Sequence, residues 1–196
     1  MKKICVLAGI LIAMVVTSLA INEKKSQMQE ELAGEVFRFH VLANSDSDED
    51  QALKMQVKEA VISYMKEEIP NSDSAKKTKE WARGHLSAIV NLAQAVIYEE
   101  GYEYEVMAEV TTCDFPEKTY GDITFPSGEY EALRIEIGEA KGQNWWCVLY
   151  PNLCFIDAVH AVVPDKGKKE LKKVLEEDTY DMVTATSRFK IGWFFF

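Results

Sequence analysis

Basic residues are the minority in this chain, 22 lysines and arginines against 32 aspartates and glutamates, for a formal charge of -10 and a pI near 4.9. Such a field repels a phosphate backbone or an anionic lipid headgroup, which excludes nucleic acid as the main partner. Cysteine is scarce as well, with 4 in 196 residues, and no Cys-x-x-Cys occurs. The three histidines, His40, His85 and His160, stand at no ligand-pair spacing, so a zinc-site pattern is excluded too. A second long hydrophobic run is also missing. Beyond the amino terminus, Trp145 to Tyr150 and Trp193 to Phe196 are far shorter than the roughly 20 residues a spanning helix needs. What remains, 47% hydrophobic and 28% charged, fits one globular domain.

The amino terminus is the most informative local feature. Met1-Lys2-Lys3 is basic, Ile4 to Ile21 carries no charge, and Ser18 and Ala20 are the small residues a signal peptidase requires. Cleavage after Ala20 is the expected processing. The competing expectation is an uncleaved anchor formed by residues 4–21, near the lower length limit for a membrane span. A third expectation is a buried amino-terminal helix; the first two bring the amino terminus to the membrane before any cleavage and place the body outside the cytoplasmic face. Removing residues 1–20 takes away Lys2 and Lys3 and no acid, leaving 20 basic and 32 acidic residues. The expected division is a signal segment at 1–20, a polar tether or short helix at 21–34, and one domain at 35–196.

Within the body, Glu35 to Leu42 alternates, with Val36, Arg38 and His40 on one face and Phe37, Phe39 and Val41 on the other, which predicts a strand. The acidic run Asp46 to Asp50 suits a helix start, and Leu53, Val57, Ala60, Val61 and Tyr64 predict a helix ending before Pro70. Asn71 to Ser74 caps a second expected helix that runs to about Tyr98. Tyr102, Tyr104, Val106, Ala108 and Val110 alternate with glutamates in a second strand. Leu133, Ile135 and Ile137 mark a third, in which Tyr130 falls in the opposite phase and suggests a bulge or a late start. Trp145 to Tyr150 is apolar throughout and expected to be covered on both faces, Lys166 to Glu177 is a short helix, and Arg188 to Phe196 is a final strand or helix. The fold class is α+β, a mostly antiparallel sheet covered by a helical hairpin in a single domain.

Candidate chemistry is thin. Asp46-x-Asp48-x-Asp50 imitates a calcium loop, but Gln51 stands where a glycine is needed and Val57 where a bidentate acid is needed. Cys147 or Cys113 as a nucleophile would need a histidine brought near by folding, and neither follows a glycine elbow. No catalytic, cofactor or metal residues are expected. Cys147 and Cys154 flank Tyr150-Pro151-Asn152, a reversal that makes them a candidate disulfide provided their Cα atoms come within about 4.4–6.8 Å. Trp145 and Trp146, consecutive on a strand, must point to opposite faces, one to core and the other to the helices or to an exposed platform.

Phe37 to Lys54, Phe115-Pro-x-x-x-Tyr-Gly121, Pro126 to Arg134 and Gly138 to Cys154 together resemble the stage II sporulation protein R family of endospore-forming bacteria. The resemblance spans about residues 35 to 160. It implies a protein secreted by the forespore into the space between two membranes. There it is needed for a membrane-embedded aspartic protease of the mother cell to process the sporulation sigma-E precursor. It also implies no catalysis by the chain itself. The motif positions His40, Asn44, Asp46, Asn144, Trp145 and Trp146 are the candidate surface for the extracytoplasmic part of that protease. The alternative is a cell-wall hydrolase or wall-binding module acting in the same space.

Overall fold

The computed structural model describes residues 2–69, 72–151, 163 and 165–192, the side chains of 2–10 and 186–192 excepted. His160, the end Trp193–Phe196, and Cys154 with its half of the candidate disulfide lie outside the described residues. In chain order the elements are α1 (Lys2–Glu35), β1 (Phe37–Leu42), α2 (Asp48–Glu68), α3 (Ala75–Gly84), α4 (Leu86–Glu99), β2 (Val106–Phe115), β3 (Lys118–Tyr120), β4 (Ile123–Phe125), β5 (Gly128–Ile137), β6 (Asn144–Tyr150), α5 (Asp165–Val174) and α6 (Glu177–Gly192). Among the described residues no helix is long and apolar enough to cross a membrane.

The fold is an α+β domain built on a mixed four-stranded sheet of order β2-β5-β1-β6, with β3 and β4 as a separate small ribbon. The expected antiparallel character holds for β2 against β5 and for β6 against β1. It fails at the centre, where β1 and β5 run parallel, with Phe39 opposite Leu133 and His40 opposite Arg134. A parallel pair needs a long crossover, and the helices α2 to α4 followed by β2 supply it.

Alternation in β1 sets the two layers. Phe37, Phe39 and Val41 join Leu133, Ile135, Ile137, Cys147 and Leu149 in one apolar cluster with Leu53, Val57 and Val61 of α2 and Ile89, Ala93 and Ile97 of α4. On the opposite face Tyr130, Ala132 and Val148 meet Leu32 of α1, Ile123 and Phe125 of β4, Leu171 of α5 and Val183 of α6. This second layer explains the phase of Tyr130. Strand β5 runs regularly from Gly128 to Ile137, so the ring needs no bulge; it packs into a face that is itself covered.

The helical cover differs from the expected hairpin, because the long second helix is divided at His85 into α3 and α4. Gly84 precedes the break, the His85 ring stacks on Trp81 with centroids 4.0 Å apart, and its Nδ1 lies 2.8 Å from the Trp81 carbonyl oxygen. A local side-chain contact there replaces helix continuation. Both α2 and α3 start on serine caps, with Asp50 N donating to Ser47 Oγ and Lys77 N to Ser74 Oγ.

Residues 21–34, read from sequence as a tether or short helix, continue α1, and their end is docked. Leu32 is fully buried, Lys24 pairs with Asp178 at 2.6 Å, and the Glu31 carboxylate accepts from Glu176 N and Thr179 Oγ1. The second strand starts at Val106 rather than Tyr102, while Tyr102 and Tyr104 still pack against the helix-side cluster.

Candidate partner-binding surface

The loop after β1 and the loop between β5 and β6 lock together at one end of the sheet. Gly142 N donates to Ala43 O at 2.9 Å and Lys141 N to Asn44 O at 3.1 Å. The Asn44 side chain accepts from Glu139 N at 2.9 Å and donates to Asp50 Oδ2 at 2.8 Å. Asp46 Oδ1 accepts from Gln143 N at 2.7 Å, and Lys54 Nζ donates to Gln143 O at 2.9 Å. Buried Asp50 is the hub of this clasp. Burial pushes its carboxyl up, but the hydrogen bonds from Ser45, Asn44 and Tyr104 prevail and hold it below the usual range. The acidic run read as an imitation calcium loop is therefore a helix cap plus a loop clasp. Among the described residues no group of three or more acids, histidines or cysteines could hold a metal.

Glycine is required at two points of the clasp. Gly138 has φ of +57°, and a Cβ there would fall within the Asn44 side chain. A Cβ on Gly142 would fall on the backbone carbonyl of Ser45.

Strand β6 leaves the clasp at exposed Asn144 and then splits the tryptophans between the two faces. Trp145 lies on the helix side, edge-on to Phe39 with centroids 5.6 Å apart and with Lys58 Nζ 5.1 Å from its ring. Trp146 lies on the other face, stacked on His40 and edge-on to Phe115 at 4.7 Å. The candidate residues thus fall into three groups. Asn44 and Asp46 build the clasp, Trp145 belongs to the helix layer, and His40, Trp146 and Asn144 share the outer sheet face.

That outer face is the least settled polar region of the described residues. His40 is 5% exposed, and burial followed by the Arg134 charge pushes its pKa down to about 4, against a smaller upward pull from Asn144. Among the described residues its Nε2 has no hydrogen-bond partner, and neither does the buried Nε of Arg134, its register neighbour. The Arg134 guanidinium is otherwise held by Glu136 and, at 3.7 Å, by Glu109. Sequence reading missed Arg134. Its place between Leu133 and Ile135 puts it on the face opposite theirs, but only the parallel pairing with β1 sets it beside His40.

The nucleophile reading can be examined directly, since folding brings Cys113 Sγ within 4.0 Å of His40 Nδ1. Burial raises the Cys113 thiol and lowers the His40 imidazolium, so the stable form is a neutral pair. A reactive cysteine needs the opposite balance, a thiolate beside a cation.

Comparison with known proteins follows the same motifs. Residues 33–160 match the family model of stage II sporulation protein R. The chain is 33% identical over 192 residues to the stage II sporulation protein R of Bacillus subtilis (strain 168), covering 94% of this chain and 86% of that protein. No solved structure matches it.

Proposed function

The chain belongs to the stage II sporulation protein R family, and from that premise we propose that the outer sheet face around His40, Asn144 and Trp146 is where it engages its protease. It is a secreted sporulation signal needed for activation of the protease that processes the sigma-E precursor, and it acts without catalysis of its own. The partner is a membrane-embedded sporulation protease. In this proposal the protease is of the aspartic class and the contact lies on its extracytoplasmic part. The chain reaches the intermembrane space after cleavage behind Ala20, residues 35–196 act as the signalling domain with the docked end of α1 completing its core, and Cys147 and Cys154 are bridged in that oxidising space.

One observation carries the choice of surface. Among the described residues, His40 Nε2 and Arg134 Nε are buried without hydrogen-bond partners on the same face as exposed Asn144 and half-buried Trp146. Buried polar atoms left unpaired cost about 1–3 kcal/mol each, and a partner that supplied their hydrogen bonds would recover that cost on binding. Binding that favours the active state of the protease is then sufficient to shift its population. The clasp of Asn44 and Asp46 positions Asn144 at the rim.

Processing of the sigma-factor precursor in vegetative cells expressing the protease tests this reading. Cleavage is expected with the exported chain and not with a version lacking residues 1–20. Asn144→Lys and Arg134→Ala should reduce cleavage while the purified proteins keep their thermal transition. Full cleavage by both folded variants would move the contact elsewhere.

A further inference from the structure

β2 is the end strand of the sheet, and its opposite edge pairs with no described strand. It runs beside β5 for ten residues, from Val106 opposite Ile137 to Phe115 opposite Gly128, without a register shift. In an antiparallel ladder every second residue turns both its N–H and its C=O away from the partner strand. Among the described residues no backbone hydrogen bond outside the β5 ladder is made by residues 106–115. Edge strands are commonly guarded by lysine, proline or a bulge, and Val106–Phe115 has none of these.

Acid marks the edge instead. Residues 102–117 contain Glu103, Glu105, Glu109, Asp114 and Glu117, all exposed, and no lysine, arginine or histidine. Met107 stands among them at 64% exposure, an adaptable apolar contact. Pairing with a second copy would bring together two segments that each carry five acids and no base, and such like-charge approach is destabilising. The same charges attract a cationic strand. The edge is also continuous with the candidate surface, because Glu105 O accepts from Gly138 N at 2.9 Å at the foot of the clasp.

We infer that β2 is a strand-addition edge that takes an extended basic segment of the protein this chain signals to. This rests on the reading of the chain as a protein ligand. Backbone hydrogen bonds along Val106–Phe115 supply the affinity, and the acidic side chains with Met107 select the sequence.

The test is hydrogen exchange of the exported chain with and without the detergent-solubilised protease, alongside precursor processing in cells. With the protease present, the amides of residues 106–115 that face away from β5 should exchange at least tenfold more slowly. The variant Glu103→Lys/Glu105→Lys/Asp114→Lys should lose at least tenfold in processing at an unchanged thermal transition. If the wild-type chain activates the protease but these amides are unaffected, the edge is overturned and the protein-ligand reading stands. If the wild-type chain neither activates nor gains protection anywhere, the protein-ligand reading fails and the edge fails with it. Protection that grows with the chain's own concentration in the absence of protease would identify a second copy as the occupant and overturn the inference.

Discussion

The imidazole of His40 lies flat on the indole of Trp146, with centroids 3.8 Å and planes 15° apart, and joins β1 to β6 across the outer sheet face. Phe115 approaches both rings, Cys113 and Arg134 face the imidazole, and among the described residues no carboxylate makes an ion pair with it. Its surroundings are built for an uncharged ring.

Stability should therefore fall as pH drops from about 6.5 towards 4. The His40 pKa is lowered to about 4 in the folded protein, so within that window the unfolded chain binds the additional proton. Stability then rises with pH at a slope approaching about 1.4 kcal/mol per unit and is fully present above the unfolded value. Asp50, Asp122 and Glu131, whose carboxyls lie below their usual values, lose their contribution only at lower pH. His40→Phe keeps a ring on Trp146 and removes the proton. Thermal melts from pH 4 to 7 should show a flatter profile for this variant, and an unchanged profile would dismiss His40 as the titrating group.

The two-loop clasp should be sensitive to a single methyl group. Gly142→Ala places a Cβ on the Ser45 carbonyl, and backbone cannot move aside as a flexible side chain can. A loss of about 2–3 kcal/mol is expected, in the range of overpacking. Asn44→Ala removes the hydrogen bonds to Glu139 N and Asp50 and should cost about 2 kcal/mol. Urea titration of both variants and their combination checks the coupling. Since both act on one clasp, the double variant should lose less than the sum of the single losses.

How much of this was legible in the sequence depended on how local each cause was. The alternation of Phe37 to Leu42 fixed which side chains share a face, and β1 forms with that division. The consecutive tryptophans pointed to opposite faces for the same reason. The parallel pairing of β1 with β5 was not legible, because it joins residues such as His40 and Arg134 that lie far apart in the chain. Nor could the phase of Tyr130 be understood without knowing that a second layer covers that face. Trp81 and His85 stood in plain view, but only the fold shows their stack ending α3. At the candidate surface, the motif positions were found while their division among clasp, helix layer and outer face was not.

Arg38 is a further case in which the face was legible and the environment was not. It is fully buried, with its guanidinium 4.3 Å from the Phe115 ring centroid and 4.9 Å from that of Tyr130. Nε donates to Cys147 O and Nη2 to the Tyr120 hydroxyl, each at 3.1 Å, while among the described residues Nη1 has no hydrogen-bond partner. Burial pushes its pKa down, and aromatic faces stand where a carboxylate would be expected. Arg38→Lys keeps the charge but loses the planar fork and stack, and should cost about 3 kcal/mol. Arg38→Met removes the buried charge and should cost less. Chemical denaturation decides, and a larger loss for methionine would show that the charge itself stabilises this aromatic-lined site.

Truncation from the amino terminus should show a sharp threshold between residues 20 and 33. Removing 1–20 leaves Lys24, Glu31 and Leu32, through which the end of α1 meets α6, its approach and the outer-face core. The thermal transition of that form should match that of the uncleaved chain. Removing 1–33 takes away Leu32, which lies against the layer of Ile123, Phe125, Tyr130 and Val183, together with the Glu31 bonds to α6. Cavity formation alone predicts about 3 kcal/mol, so Leu32→Ala in the otherwise intact exported chain should reproduce much of the loss. Calorimetry on the three proteins separates a helix that only delivers the domain from one that completes it. Equal transitions in all three would assign α1 to delivery alone. A loss shared by the longer truncation and Leu32→Ala would place the last turns of α1 within the signalling domain, so the cleaved chain retains them as part of its outer-face core.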